Sequence, residues 1–201
     1  MTTAKDLFII SMDPGSERPV GQGDLSLALA GAELIDLVGA GAATIDEDRI
    51  VPGAPSAPDD GLLAEAGAEL VRQEPYELVE DWLWRRGRDL SATYRSALER
   101  AGELTRRRSG LLSFGPETVE PADTPASRRA AARREEGEPV LAALASAVGV
   151  GGEWADEEPG FADEAVTTVV AVVNEAVMEL EAVRQRRTIE NTAFANVWRG
   201  P

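Results

Sequence analysis

"DLSLALAGAELIDLVGAG", residues 24–41, is the stretch whose pattern is most strongly helical. Apolar residues recur there every three or four positions and cover a broad face of a helix. They are Leu25, Leu29, Ala32, Leu34, Ile35 and Leu37. Asp24 is a suitable N-cap, and Gly39 and Gly41 supply a stop. The pattern therefore predicts a buried helix.

The elements on either side of this helix have weaker signals. "LFIISMD" (7–13) fits either a strand or a first helix. "ATIDEDRIVPG" predicts two short strands joined at "DED", and Asp59 or Asp60 caps a helix in "GLLAEAGAELVRQ". The proline of "PYELVEDWLWRRGRDL" predicts the start of the next helix. That helix turns Trp82 inward and Trp84 outward, where Trp84 is expected to lie against Arg88 as a cation-π pair.

The second half of the chain alternates helices with one hairpin. A helix from Asp89 to Ala101 ends at Gly102, and "TRRRSGLLSF" then predicts a β-hairpin with a Ser-Gly turn, a winged-helix-like arrangement. Two further helices follow, the second from Val140 to Val148, and "FADEAVTTVVAVVNEAVMELEAVRQRR" predicts a long one.

These elements predict a mainly α fold, a single-domain helical bundle with a small β-hairpin over residues 1–201. The core is expected at about 7–184. Residues 185–201 are expected to form a C-terminal tail that docks through Phe194 and Trp198.

The residue types that are missing limit the chemistry. The chain has no cysteine and no histidine, so thiol nucleophiles, thiolate metal sites and serine-histidine triads are excluded. Acidic runs such as Asp46 to Asp48 are typical of solvated turns, and we expect no enzyme, no metal and no cofactor. The start lacks the long apolar segment of a secretory signal, and the valine-rich stretch 165–173 is far below the roughly 20 residues that cross a bilayer. A cytoplasmic protein without a transmembrane segment is expected, and the alanine, glycine and arginine content is typical of a bacterial source.

Charge is segregated along the chain. Between Arg85 and Arg134 there are twelve arginines and six acidic residues, a local balance of +6 in a chain of net charge -16, so the remainder carries -22. Such segregation is typical of a surface that meets an anionic partner. The alternative is that individual arginines pair with acids from elsewhere in the fold.

Four stretches, in this order, resemble the Golgi phosphoprotein 3 family. They are "LSLALAGAELIDL", "DDGLLAEAGAELVRQ", "VEDWL" and "GELTRRRSGLLSFGPETV", and the similarity runs from about Leu7 to Glu181. The resemblance implies a mostly helical fold and a hairpin associated with self-assembly. It also implies binding to membranes, because the eukaryotic members bind phosphatidylinositol 4-phosphate.

The resemblance also implies where a lipid head group would bind. In the family a tryptophan and an arginine near the first long helix, and two basic residues before the hairpin, hold the head group. These four positions fall on Gly21, Ala30, Arg88 and Ser91, so one basic residue is retained. The replacements leave the lipid specificity open, and a bacterial membrane offers phosphatidylglycerol or cardiolipin.

The leading hypothesis is a peripheral membrane protein that binds anionic phospholipid or phosphoinositide head groups through an arginine-rich surface. The expected lipid-binding residues are Trp84, Arg88, Arg95, Arg106, Arg107 and Arg108. The alternative is an interaction module that binds clients or forms a homo-oligomer through hairpin 103–114, without lipid binding. The arginines of the hairpin are also explained by protection of an exposed strand edge. The overall acidity opposes nucleic-acid binding.

Overall fold

A computed structural model describes residues 2–12, 20–54, 59–108, 117–150 and 160–197, with backbone alone for 107, 108, 117, 118 and 192–197. Within these residues the chain forms eight helices and two antiparallel two-stranded sheets, which confirms the mainly helical fold. The helices are α1 Thr3–Ser11, α2 Gln22–Gly39, α3 Gly61–Ala68, α4 Val79–Arg86, α5 Leu90–Arg100, α6 Pro125–Glu135, α7 Pro139–Ala147 and α8 Glu164–Val197. The strands are β1 Ala43–Asp46, β2 Arg49–Pro52, β3 Leu104–Arg108 and β4 Glu117–Pro121.

Helix α2 is buried, as predicted, and lies at the centre of the described helices. It packs against α1, α3, α4, α5, α7 and α8, and residues 25–35 are buried without a break. The helix begins earlier than predicted, because Gly21 is the N-cap and Asp24 instead binds Arg184 of α8. It ends at Gly39, and Gly41 with φ +68° turns the chain into β1.

The "LFIISMD" alternative is resolved in favour of a helix. Thr2 caps α1 by accepting a hydrogen bond from the backbone N–H of Lys5. Leu7, Phe8, Ile9 and Ile10 are all buried. An apolar run that is buried on every side has no periodicity by which a helix could be told from a strand.

The predicted start of α4 at Pro75 is wrong. The helix begins at Val79, and Pro75 lies in the preceding turn after a cis peptide bond with Glu74. The intervening residues are extended alongside β2: the Ile50 N–H donates to the Glu77 carbonyl, and the Val79 N–H donates to the Asp48 carbonyl. This pairing keeps residues 76–78 out of the helix, against the local preference of proline for a first helical turn.

The hairpin exists, but with a different second strand. Strand β3 pairs with β4 in a register that joins Leu104 to Pro121 and Arg108 to Glu117. Residues 109–116 come between the two strands in the chain, and the predicted Ser-Gly turn and "GLLSF" both lie in this segment, outside the described residues. Leu104 is buried and Val119 packs against the core, so tertiary contacts select this pairing.

Helix α8 is longer than predicted. Val169, Val170, Val173 and Ala176 are buried, and the backbone continues as helix to Val197. The segment 185–197, assigned above to a tail, therefore extends α8; the predicted docking by Phe194 and Trp198 lies outside the described side chains. No helix in the described part of the chain is long and apolar enough to cross a membrane.

Candidate anion-binding surface

Trp82 anchors the arginine-rich segment in the core. Its side chain is fully buried, and its Nε1–H donates to the Ala30 carbonyl of α2 at 3.1 Å. The Arg85 guanidinium lies over the Trp82 ring, 5.1 Å from its centroid. In the described residues this contact is the cation-π pair, in place of the predicted Trp84 with Arg88. Trp84 is 37% exposed, as the periodicity predicts.

Arg85 is neutralised by two carboxylates. Its Nε and Nη2 donate to the two oxygens of Glu77 at 2.7 and 2.8 Å, and its Nη1 donates to Glu69 at 3.2 Å. The hydrogen bonds to Glu77 raise the pKa of Arg85 above its usual value. All three nitrogens of the guanidinium donate hydrogen bonds within the protein, so binding of an external anion by Arg85 would compete with two carboxylates.

Arg86 is part of a buried network. Its Nε and Nη2 donate to Glu33 at 2.8 and 3.0 Å, and its Nη1 donates to Glu69 at 3.0 Å. The Tyr94 hydroxyl also donates to Glu33, at 3.0 Å. Burial disfavours the charged guanidinium, but the hydrogen bonds to Glu33 and the electrostatic attraction of Glu33, Glu69 and Tyr94 together outweigh it and raise the pKa of Arg86. This arginine holds α4 against α2.

The arginines of α6 are also paired within the protein. Arg129 and Arg133 both bind Asp6 of α1, whose side chain is buried, and Arg133 also binds Glu138 at 2.9 Å. Arg128 binds Asp123 in an exposed pair. These contacts engage Arg128, Arg129 and Arg133 with carboxylates of the protein itself.

The arginines expected to bind lipid lie on the α4–α5 turn, α5 and β3. Arg88 is exposed and Arg95 half-buried, and neither makes an ion pair with another described residue. Arg106 is exposed but donates to Glu99 at 3.0 Å. Glu99 lies one turn after Arg95 on the same side of α5, so the structure brings Arg95 and Arg106 to one side of this helix. The side chains of Arg107 and Arg108 lie outside the described residues.

The α4–α5 turn packs on the first turns of α2. The Ser91 N–H donates to Ser26 Oγ at 3.0 Å, and a Cβ on Gly87 would lie 2.5 Å from the Leu83 carbonyl oxygen and 3.3 Å from that of Ser26. Glycine at position 87 therefore permits the close approach that places Arg88 and Ser91 beside the N-terminal part of α2.

A basic residue that the sequence analysis missed lies at the N-terminus of α2. Arg184 Nη1 donates to both oxygens of Asp24, at 2.8 and 2.7 Å. A Cβ on Gly21 would lie 3.4 Å from this nitrogen, and one on Gly23 would lie 2.9 Å from Nη2. Arginine thus occupies the space beside two glycines. The signal for it was the basic run 184–187, which follows an apolar face that ends near Leu180.

Of the four positions marked by the resemblance, three lie near this end of α2. Gly21, Arg88 and Ser91 surround its first turns, whereas Ala30 is fully buried and its carbonyl binds Trp82. A helix N-terminus with exposed arginine nearby favours negative charge. In the described residues no group of three or more acidic side chains could hold a metal ion.

Comparison with known proteins identifies one family. The family model described as Golgi phosphoprotein 3 (GPP34) matches residues 4–189, which is most of the chain. No curated protein matches it.

Proposed function

The chain belongs to the Golgi phosphoprotein 3 (GPP34) family, and from this premise we propose that it is a peripheral membrane protein that binds the phosphate of anionic phospholipid head groups. The proposed site comprises Arg88, Arg95 and exposed Trp84, with Arg106, Arg107 and Arg108 beside it. The family is known for phosphatidylinositol 4-phosphate binding. Binding of this particular lipid is the more specific version of the proposal.

The proposal rests mainly on the exposure of Arg88 and on its lack of an ion pair among the described residues. Among the arginines at 85, 86 and 88, it is the one that is exposed without a carboxylate partner among the described residues. It also stands at the one basic position retained from the family's head-group site. An exposed guanidinium can bind a phosphate in a bidentate geometry without first breaking an internal ion pair.

The expected affinity is modest. Each arginine near an anionic leaflet contributes about 1 kcal/mol, and Trp84 can lie at head-group level, where indole is favoured. Arg85 and Arg86 are paired with carboxylates of the protein and are not counted as lipid-binding residues, and Arg106 is paired with Glu99. The protein should therefore attach reversibly and release at high salt.

Sedimentation with vesicles tests this proposal. Arg88→Ala with Arg95→Ala should weaken binding to phosphatidylglycerol vesicles by about 30-fold, since two contributions of about 1 kcal/mol are lost. The matched control is Arg72→Ala with Arg128→Ala, which removes the same charge from exposed positions elsewhere. The control should bind like the wild type. Vesicles containing phosphatidylinositol 4-phosphate at equal total charge distinguish a specific head group from general anionic attraction.

Two results would overturn the proposal. One is a wild-type protein that stays in the supernatant at every content of anionic lipid and at low salt. The other is equal weakening in the test and control variants, because binding would then depend on net charge and not on Arg88 and Arg95.

The hairpin supports a second candidate, an interaction module without lipid binding. In each described sheet two strands pair with one another, so β3 and β4 each have one edge without a strand partner. Such an edge can accept a strand from a client protein or a second copy. Replacing residues 105–120 with a short glycine-serine linker between the paired ends Leu104 and Pro121 removes both edges. It should then reduce association measured by light scattering while vesicle binding stays at background.

A further inference from the structure

Helix α8 carries an apolar face that no described part of the chain covers. Met178 and Ile189 are 72% and 69% exposed, more than any other large apolar side chain described. They are eleven residues apart, so they lie within about 20° of each other around the helix and about 16 Å apart along it. Ala182 and Gln185 lie between them on the same face and are also exposed. We call Met178, Ala182, Gln185 and Ile189 the outer face.

The outer face lies directly opposite the packed one. The buried residues Val169, Val173 and Ala176 point at α2 and its neighbours, about half a turn of the helix away from Met178. The outer face is therefore not a continuation of the core. Two large exposed apolar groups in line on one helix are typical of a surface that meets another molecule.

Charge along α8 changes sign at the middle of the outer face. Glu175, Glu179 and Glu181 precede Ala182, and Arg184, Arg186 and Arg187 follow it, before Glu190. Arg184 is engaged with Asp24 and Glu181. Glu179 and Arg186 are exposed on the same flank of the outer face, and neither makes an ion pair with another described residue.

We propose that two copies of the chain pair through the outer faces of their α8 helices, in antiparallel orientation. Met178 of one copy then packs against the partner's Ile189, and Glu179 of one copy lies beside the partner's Arg186, with both contacts made twice by symmetry. The antiparallel orientation sets Glu179 and Glu181 of each helix against the basic residues 184–187 of the other. A parallel pair would set Glu179 against Glu179 and Arg186 against Arg186.

The same charges disfavour a membrane as the occupant. An amphipathic helix that lies on an anionic bilayer has basic residues along its polar face. Here Glu175 and Glu179 flank the Met178 end of the outer face and would be repelled by such lipids. A second copy in antiparallel orientation instead places Glu179 beside an arginine and Arg186 beside a glutamate.

The contact is small, so the dimer should be weak. One helix face per copy buries less than the roughly 1,200 Å² that stable complexes usually need, which corresponds to a transient interface. Association should therefore depend on protein concentration and should be measured by sedimentation equilibrium on the full chain.

A charge-swap experiment tests the proposal. Glu179→Arg alone and Arg186→Glu alone each create two like-charge contacts across the dimer and should weaken it by about fivefold or more. The double variant restores opposite charges and should return to the wild-type dissociation constant. Within one copy the two positions are about 10 Å apart along the helix, so a direct ion pair is out of reach and the rescue reports contact between copies.

Further variants complete the test. Met178→Asp should weaken the dimer by at least about tenfold, because it buries a charge in the contact. Glu136→Arg, an exposed charge reversal at the end of α6, should leave it unchanged. Circular dichroism confirms that each variant is folded. None of these changes touches Arg88 or Arg95, so a failure here is distinct from a failure of head-group binding.

The proposal is overturned if the wild type stays monomeric up to the highest soluble concentration, or if the double variant does not recover. Vesicle binding by a monomeric wild type that is lost in Met178→Asp would also overturn it, and would assign the outer face to a membrane.

Discussion

Three hydrogen bonds hold the Glu33 carboxylate, which has no exposed surface. Two come from Arg86 and one from Tyr94. Burial raises the pKa of Glu33 above its usual value, although Arg86 and Tyr94 oppose the rise. A carboxyl group with a raised pKa in the folded state binds protons more tightly there than in the unfolded chain. Its contribution to stability is therefore present at low pH and is lost as the pH rises through the folded-state pKa.

Removing the partner of Glu33 should be costly at neutral pH. Arg86→Met keeps the length of the side chain but leaves a buried carboxylate unpaired, so we expect a loss of about 3 to 5 kcal/mol in the free energy of unfolding. Without Arg86 the pKa of Glu33 rises further, so the loss should shrink as the pH falls from about 7 to about 5. Urea unfolding followed by circular dichroism at both values measures it.

Arg128→Met is the control for this prediction. Its partner Asp123 is exposed, and so is Arg128 itself, so the change should alter the free energy of unfolding by less than about 0.5 kcal/mol at either pH. Similar losses in both variants, or a loss in Arg86→Met that does not depend on pH, would contradict the role given to the buried network.

Helices α2 and α8 pack closely against each other at Gly31. A Cβ on Gly31 would lie 2.4 Å from Val173 Cγ2, with Val169 and Leu83 also within 4 Å. Val173 is fully buried and cannot move aside without disturbing its neighbours. Glycine at position 31, which has no side chain, thus allows the two helices to approach this closely.

Substitution of two glycines of the same helix separates packing from helix propensity. Gly31→Ala should lower the melting temperature, because overpacking costs about 1 to 3 kcal/mol and outweighs the gain of about 1 kcal/mol in helix propensity. Gly39→Ala, where no atom lies within 4 Å of the added Cβ, should leave the melting temperature unchanged or raise it. Thermal unfolding of both variants checks this, and a stabilised Gly31→Ala would show that the crossing is looser than described.

At the scale of the whole molecule, the basic segment is largely neutralised from within. Arg85 and Arg86 form ion pairs with three glutamates, Glu33, Glu69 and Glu77. Arg129 and Arg133 form ion pairs with Asp6. The net charge of -16 is then carried mainly by exposed acidic residues that repel one another.

This imbalance predicts a dependence of stability on salt. Raising NaCl from about 0.05 M to about 0.5 M shortens the Debye length and screens the repulsion between exposed carboxylates, while the buried pairs are screened much less. The melting temperature should therefore rise by a few degrees. Differential scanning fluorimetry at constant pH measures it, and a fall would show that exposed attractive pairs outweigh the repulsion.

The elements that could be predicted are those whose signals are local. The periodicity of α2, the Asp60 cap of α3, the stop at Gly102 and the opposite orientations of Trp82 and Trp84 all depend on residues within two helical turns. Helical spacing and capping act over that range, so the sequence by itself determined these features and the helical fold class that they build.

Only the tertiary structure decided which arginines remain available at the surface. Glu33 is 53 residues from Arg86, Asp6 is 123 from Arg129, and Asp24 is 160 from Arg184. The start of α4 and the strand that pairs with β3 were also set by distant contacts. Local spacing carries no information on such pairs, because an ion pair depends on two side chains meeting in space and not on their separation along the chain.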